Sequence, residues 1–221
     1  MTLRGVRVIL FDLDGTLVDT AGDLAAAANR MRADRGLEPV PLERMRPIAS
    51  AGARGMLGEA FDVRPGDDRF ESLRAEFLSN YESAICVHSR LFDGAEALLR
   101  AIEGLGGRWG IVTNKPARYT TLLLRALRLD ERTACVVSGD TTPHPKPSPE
   151  PLRHALRLLA AEPQSAVYVG DDERDIAAGR AAGVATIAAT YGYLGAGSPP
   201  QAWGADHLID HLDTLRRWLV E

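Results

Sequence analysis

The chain of 221 residues is long enough for one large domain or two small ones, and its 45% hydrophobic and 25% charged residues are ordinary for a globular protein. Its net charge of −4 excludes a general basic surface of the kind that binds nucleic acid or anionic membranes. Two isolated cysteines, no long apolar run and an N-terminus without signal-peptide features argue against a disulfide scaffold and a membrane span, so we expect a cytoplasmic protein.

An apolar run near the start of the chain is followed directly by two carboxylates. Residues 6–10 are typical of a buried strand of a parallel sheet, and Asp12 and Asp14 come where that strand ends. Ligands of open α/β sheets bind beyond the carboxyl ends of the strands. Two acids so close together repel each other, and a bound divalent cation or the protonation of one acid would explain the pair. The alternative, an ordinary turn at Asp14 and Gly15, is less favoured because of the whole run Asp-Leu-Asp-Gly-Thr-Leu.

Later in the chain, short apolar stretches alternate with helical patterns. The apolar stretches predict strands at residues 109–112, 135–137, 166–169, 184–188 and 207–209. The helical patterns predict helices at residues 92–105, 116–127, 149–159 and 174–182, and a last one through Trp218. This alternation predicts an α/β fold with a Rossmann-like, doubly wound parallel sheet.

Residues 19–90 interrupt the alternation and contain no convincing strand. Helix-forming residues are frequent in residues 21–35, and residues 70–86 place large apolar side chains on one helical face. The glycines of residues 52–55 predict a loop or a break between helices. The expected domains are a core of residues 1–18 and 91–221 and an inserted α-helical cap of residues 19–90. An insertion at this point would lie over the strand ends as a lid.

Polar groups follow four of the predicted strands at their carboxyl ends. These groups are Asp12 and Asp14, then Thr113 and Asn114, then Lys146, and finally Asp171, Asp172, Glu173 and Asp175. Because the carboxyl ends of parallel strands share one edge of the sheet, we expect these side chains to meet. Carboxylates are suitable ligands for Mg²⁺, and lysine and hydroxyl groups can bind phosphate oxygens. The combination therefore indicates phosphoryl transfer with an aspartate nucleophile.

Each group also has an ordinary structural interpretation. Lys146 could be a solvated loop lysine, Thr113 could cap a helix, and the acidic group after the fourth strand could complement a helix dipole. The occurrence of all four groups in this order makes coincidence the weaker explanation.

In these four motifs the chain resembles the haloacid dehalogenase superfamily, and specifically its Mg²⁺-dependent phosphatases with an α-helical cap. The resemblance implies that Asp12 is the nucleophile that forms an aspartyl phosphate and that Asp14 is the general acid and base. It also implies that Thr113, Asn114 and Lys146 bind the phosphoryl group, and that Lys146 holds Asp12. The metal ligands that it implies are the Asp12 carboxylate, the Asp14 carbonyl oxygen, Asp171 and, indirectly, Asp175.

Within the superfamily, the chain looks most similar to phosphoglycolate phosphatases and to their relatives that act on N-acetylmuramic acid 6-phosphate in peptidoglycan recycling. Both substrates carry a carboxylate, which Arg54 could bind in a bidentate pair from a glycine-flanked loop, unless it is a solvated surface residue. One alternative is a sugar-phosphate mutase of the same superfamily, which would share these motifs. The other is a non-catalytic binding protein, and the intact motifs argue against it. Monomer and homodimer remain equally open. The sequence alone does not assign roles to Lys115, His88, Asp172, Tyr191 and Tyr193.

Overall fold

The computed structural model describes residues 6–195 and 197–220, so that residues 1–5, 196 and 221 of the expected core lie outside the described residues. The strands are β1 (Val8–Phe11), β2 (Val18–Asp19), β3 (Arg90–Leu91), β4 (Arg108–Val112), β5 (Cys135–Val137), β6 (Ala166–Gly170), β7 (Ala185–Ala189) and β8 (His207–Ile209). Six of them form a parallel sheet in the order β5-β4-β1-β6-β7-β8, while β2 and β3 pair antiparallel.

The helices lie on both faces of this sheet and in the segment between β2 and β3. They are α1 (Ala21–Ala33), α2 (Leu42–Met45), α3 (Gly52–Phe61), α4 (Phe70–Ser83), α5 (Ala95–Gly104), α6 (Ala117–Ala126), α7 (Glu150–Leu158), α8 (Glu173–Ala182) and α9 (Leu212–Val220). Short 3₁₀ turns cover Arg46–Ala51, Pro163–Ser165 and Pro200–Ala202. None of the helices in the described part of the chain combines the length and apolarity needed to cross a membrane.

Strand β1 lies at the centre of the sheet, and its side chains alternate between two apolar layers. Ile9 and Phe11 pack in the layer that includes residues of α5, α6 and α9, whereas Val8 and Leu10 pack in the layer that includes residues of α7 and α8. All four are 0–1% exposed, which explains why a continuous apolar run, rather than an alternating one, specifies this strand. The predicted doubly wound α/β sheet is confirmed.

The helices between β2 and β3 have an apolar cluster of their own. Met31 from α1, Leu57 from α3 and Phe77 from α4 are buried together in it. The predicted helices in residues 21–35 and 70–86 are therefore found at α1 and α4. The chain enters and leaves this segment through the two-residue strands β2 and β3, which were not predicted because two residues show no periodicity.

Of the predicted loop or break at residues 52–55, the structure has a break at Gly52, between the 3₁₀ turn and α3, but no loop, because residues 52–55 already belong to α3. Gly52 has a φ of +56°, which joins the preceding 3₁₀ turn to the helix. A Cβ on Gly55 would lie 2.6 Å from the carbonyl oxygen of Ile48. Gly55 therefore permits close packing of the helix against that turn and does not interrupt the helix.

The buried carboxylate of Asp23 stabilises the segment through which the chain returns from the helical segment to the sheet. Asp23, in the first turn of α1 and 2% exposed, accepts hydrogen bonds from the backbone N–H groups of Val87, His88 and Ser89. The Ser89 hydroxyl donates a further bond of 2.6 Å to the same carboxylate. Asp23 thus ties the start of the segment to the residues that lead out of it.

Replacement of Asp23 by Ala is expected to lower the free energy of unfolding by about 2–4 kcal/mol, because several donors would be left unpaired in a buried place. Urea unfolding followed by far-ultraviolet circular dichroism measures the change. Asp68→Ala, at an exposed position in the turn before α4, is the control and should change stability by less than about 1 kcal/mol. An Asp23 variant as stable as this control would contradict the anchoring role.

Candidate active site

The polar groups predicted from the strand ends meet at one edge of the sheet. Asp12 follows β1, Thr113 follows β4 and Asp171 follows β6, and the parallel pairing of these strands brings their carboxyl ends side by side. Carboxylate oxygens of Asp12, Asp171 and Asp175 all lie within 4.8 Å of one another, and all three residues are buried. The polar side chains that follow these strands therefore lie close together, as the sequence predicts.

Lys146 reaches the same place from the loop after β5. Its Nζ lies 2.9 Å from Asp12 Oδ1 and 2.6 Å from Asp175 Oδ1, and its side chain is only 2% exposed. Burial lowers the pKa of Lys146, but the charges of Asp12 and Asp175 outweigh burial and raise it, so that the ammonium stays charged. The geometry excludes the interpretation of Lys146 as a solvated loop lysine.

Two further residues hold Lys146 in position. The side-chain amide of Asn114 donates to the Lys146 carbonyl and accepts from the Lys146 N–H, both at 2.9 Å. The Tyr168 hydroxyl, inside strand β6, lies 2.8 Å from Nζ. Tyr168 was missed by sequence reasoning because a tyrosine in an apolar strand looks like any other core residue. The side-chain amide of Asn114 thus binds the backbone of the loop that contains Lys146.

The three carboxylates carry more negative charge than Lys146 can offset. Burial, followed by the charges of Asp12 and Asp175, raises the pKa of Asp171 well above its ordinary value, and burial raises the pKa of Asp12 to about 6. Among the described residues, the buried Asp12 Oδ1 has no hydrogen-bond donor aligned with it, although the Lys146 ammonium is close. Clustered carboxylate oxygens whose negative charge is not fully offset are a set of ligands that fits a hard divalent cation.

The turn after β1 is shaped around Asp171. Thr16 Oγ1 and the Tyr193 N–H each donate a 2.8 Å hydrogen bond to the Asp171 carboxylate and fix its orientation. Gly15 has a φ of +89°, and a Cβ on it would lie 2.2 Å from Asp171 Oδ2. Glycine is therefore required here for the close approach of the backbone as well as for its conformation.

Asp14 is held apart from the three clustered carboxylates. Its Oδ1 accepts a 2.5 Å hydrogen bond from Thr20 Oγ1 and lies 2.9 Å from Lys115 Nζ. The Lys115 side chain is 7% exposed; burial lowers its pKa, but the charge of Asp14 outweighs burial and raises it. Asp12 and Asp14 thus have different partners, and Lys115, whose role the sequence left open, is the partner of Asp14.

A cavity of about 320 Å³ lies between these groups and the helical segment. Its lining includes Asp12, Asp14, Thr113, Asn114, Lys115, Lys146, Asp172 and Asp175 from the sheet side, and Ser50, Arg54 and Tyr81 from the helical side. Arg54 therefore faces the same cavity as the strand ends, but from the first turn of α3 and not from the expected loop. Asp171 lies beneath the cavity and is 0% exposed.

Asp172 has a structural role in helix α8. Its side chain accepts a hydrogen bond from the Arg174 N–H at the start of the helix, and Asp175 completes the capping box. Arg174 also pairs with Asp172 at 2.8 Å and donates to the Ser50 carbonyl of the helical segment. The helix-start interpretation of the acidic group is thus correct for Asp172 and for one oxygen of Asp175, while Asp171 and the other oxygen of Asp175 face the cluster.

The remaining residues with open roles are packing residues in this structure. The Tyr191 hydroxyl donates to the Thr16 carbonyl, and the Tyr193 hydroxyl accepts from the Thr20 and Ala21 N–H groups. His88 packs against Gly22, where a Cβ would lie 2.8 Å from the His88 Cβ. None of these three lines the cavity. They support the turn after β1 and the connections to the helical segment.

Comparison with known proteins agrees with this fold and this site. The model of the haloacid dehalogenase-like hydrolase family matches residues 9–189. The chain is 45% identical over 212 residues to an N-acetylmuramic acid 6-phosphate phosphatase of Pseudomonas putida, covering 96% of this chain and 95% of that protein. It is 44% identical over 208 residues to a phosphoglycolate phosphatase of Xanthomonas campestris, covering 94% of each. A crystal structure of a predicted phosphoglycolate phosphatase from Haemophilus somnus superposes with a TM-score of 0.82 at 26% identity, covering 96% of this chain and 97% of that one.

The chain belongs to the haloacid dehalogenase-like hydrolase family. It is an enzyme, and more particularly a phosphatase, as its curated relatives are. The resemblance seen in the sequence motifs is therefore confirmed at the level of the family.

Proposed function

We propose that the protein is an Mg²⁺-dependent phosphomonoester hydrolase that acts on a small, carboxylate-bearing phosphometabolite through an aspartyl-phosphate intermediate. The observation that carries this proposal is the group of three buried carboxylates, Asp12, Asp171 and Asp175, with Lys146 at the base of the cavity. Binding of an uncharged ligand would not explain why so many charged groups are buried beneath an open cavity.

Asp12 is the nucleophile in this proposal. Its carboxylate attacks phosphorus, the bond to the leaving alcohol oxygen breaks, and an acyl phosphate forms on Asp12. Asp14 gives a proton to the leaving oxygen and then takes one from the water that hydrolyses the acyl phosphate. Lys115 and Thr20 support this division, since they orient the Asp14 carboxylate separately from Asp12.

The phosphoryl group would be bound by Thr113 through its hydroxyl, by Asn114 through its backbone N–H, and by Lys146, which also orients Asp12. Mg²⁺ would be held by the Asp12 carboxylate, the Asp14 carbonyl oxygen and Asp171, with Asp175 acting indirectly through Lys146. When bound, the ion would offset the negative charge of the phosphoryl oxygens. The excess negative charge of the carboxylate cluster supports this assignment.

The substrate is proposed from the relatives and from the helical side of the cavity. We take residues 19–90 as a cap domain that covers the cavity, with 2-phosphoglycolate or N-acetylmuramic acid 6-phosphate as the substrate. Both bear a carboxylate, and Arg54, which is exposed and lines the cavity, would pair with it.

Release of inorganic phosphate from an aryl phosphate and from both candidate substrates tests this function. With Mg²⁺ we expect turnover, and removal of the ion with EDTA should lower the rate by about 10³-fold or more and be reversed by added Mg²⁺. Undiminished turnover in EDTA would contradict the metal assignment. Transfer of phosphate between two positions of one sugar, with little free phosphate, would instead identify a mutase.

A further inference from the structure

The hydroxyl of Tyr81 is a buried polar group that the proposed chemistry does not use. Tyr81 is 2% exposed, and the Lys115 ammonium beside its Oη can only donate, so that among the described residues the hydroxyl proton of Tyr81 has no acceptor. Buried polar groups in native proteins are nearly always paired, so an unpaired one that lines a cavity points to a group supplied by a ligand. Tyr81 lines the cavity that contains Asp12 and Asp14.

Aromatic packing fixes the position of this hydroxyl. The Tyr81 ring is stacked on Phe77, with centroids 6.4 Å apart and 6° between planes, and it is tilted against Tyr119 at 6.0 Å. Burial raises the pKa of Tyr81 to about 12, so that the hydroxyl keeps its proton at neutral pH and is available as a donor. A rigid ring with a protonated hydroxyl is well suited to select a ligand by one hydrogen bond.

Lys115 places a positive charge beside Tyr81. Its Nζ lies 4.7 Å from the centroid of the Tyr81 ring, over the ring face, and 2.9 Å from Asp14 Oδ1. Because Asp14 is the proposed proton donor to the leaving oxygen, the Tyr81 side chain lies close to the leaving group and not to the far end of the cavity. Two kinds of donor, a phenol and an ammonium, thus converge on this part of the cavity.

The wall around these donors is apolar. Leu24, Phe77 and Tyr119 line the same cavity and are each at most 8% exposed. A two-carbon hydroxy acid offers one methylene to such a wall, whereas a sugar ring offers a face of C–H groups together with oxygens that can accept hydrogen bonds. The wall and the donors therefore match a phosphorylated sugar derivative better than a two-carbon phosphate ester.

We propose that Tyr81 is a specificity-determining residue whose hydroxyl, beside Lys115, donates a hydrogen bond to an oxygen of a sugar-derived leaving group that packs on the wall formed by Leu24, Phe77 and Tyr119. This inference rests on the proposed phosphatase function and adds the class of leaving group to it. Tyr81 belongs to α4, whereas Lys115 and Tyr119 follow β4, so the subsite is complete only when the helical segment and the sheet are together.

The Tyr81→Phe variant of the full chain tests the proposal against two substrates and one reference ester. The substrates are N-acetylmuramic acid 6-phosphate and 2-phosphoglycolate, and the reference is an aryl phosphate. Wild type should favour the sugar acid phosphate in kcat/KM, and Tyr81→Phe should lower that value by about tenfold to a hundredfold, while the values for the other two esters change less than about threefold. Thermal unfolding should show little loss of stability, since among the described residues the hydroxyl proton of Tyr81 has no acceptor to lose.

The matched control is Tyr191→Phe, which removes a hydroxyl outside the cavity that is bonded to the Thr16 carbonyl. Any effect of this change should alter all three kcat/KM values by the same factor. Preference of the wild type for 2-phosphoglycolate, or an equal effect of Tyr81→Phe on all three esters, would overturn the specificity role. Failure of the wild type to hydrolyse even the aryl phosphate would overturn the proposed function itself, so the two failures are distinct.

Discussion

Replacement of Asp12 by Asn is expected to lower kcat by about 10⁴-fold or more without unfolding the protein. The amide keeps the size and nearly the shape of the carboxylate, but it lacks the charge and the nucleophilic oxygen that would attack phosphorus in the proposed mechanism. It also removes one negative charge from a buried cluster that Lys146 alone does not neutralise, so the fold should not suffer. Phosphate release at saturating substrate measures the loss, and thermal unfolding verifies the fold.

Asp172→Asn is the matched control for this experiment. Asp172 lies in the same cavity lining, but its carboxylate caps helix α8 and pairs with Arg174. Asparagine is also a good N-cap residue, so this variant should keep activity within about tenfold of wild type. Comparable activity in Asp12→Asn and Asp172→Asn would refute the assignment of the nucleophile.

Replacement of Lys146 by Met is expected to have the largest effect on stability, a loss of about 3–5 kcal/mol in the free energy of unfolding in EDTA. Methionine fills a similar volume, but it leaves the buried carboxylates of Asp12 and Asp175 without the ammonium that now lies within 3 Å of each. Activity should be lost as well, because Asp12 would no longer be oriented. Urea unfolding of the metal-free protein gives the value.

Lys115→Met serves as the comparison, since Lys115 is also a buried lysine but pairs with one carboxylate at the cavity surface. Its loss of stability should be smaller, about 1–3 kcal/mol. Added Mg²⁺ should restore part of the stability of Lys146→Met, because a cation can replace some of the missing positive charge. If Lys146→Met proved as stable as wild type, the ammonium would not be what allows the carboxylates to be buried.

The sequence predicts the part of the site that depends on strand order. Asp12, Thr113, Lys146 and Asp171 could be placed together because a parallel sheet brings the carboxyl ends of its strands to one edge, whatever the details of packing. The apolar run before Asp12 was enough to place that residue at such an end.

What could not be predicted depends on contacts between residues that are distant in the chain. Tyr168 looks like a core residue until Lys146 is found at its hydroxyl. Asp23 looks like an ordinary acid in the first turn of a helix, yet it binds three backbone N–H groups more than 60 residues away. Arg54 was placed in a loop because glycine is read as a helix breaker, whereas Gly55 is required for close packing against Ile48.

The central position of β1 has a consequence for the order in which the protein can be completed during synthesis. This strand, which leads to Asp12, leaves the ribosome well before its partners β4 and β6, which follow about 100 and 160 residues later. Most of the apolar cluster of the helical segment can form in the meantime, since Met31, Leu57 and Phe77 precede β4. A nascent chain that has not yet reached Ala166 therefore carries β1 with at least one edge unpaired, and is exposed to aggregation until the middle of the sheet is closed.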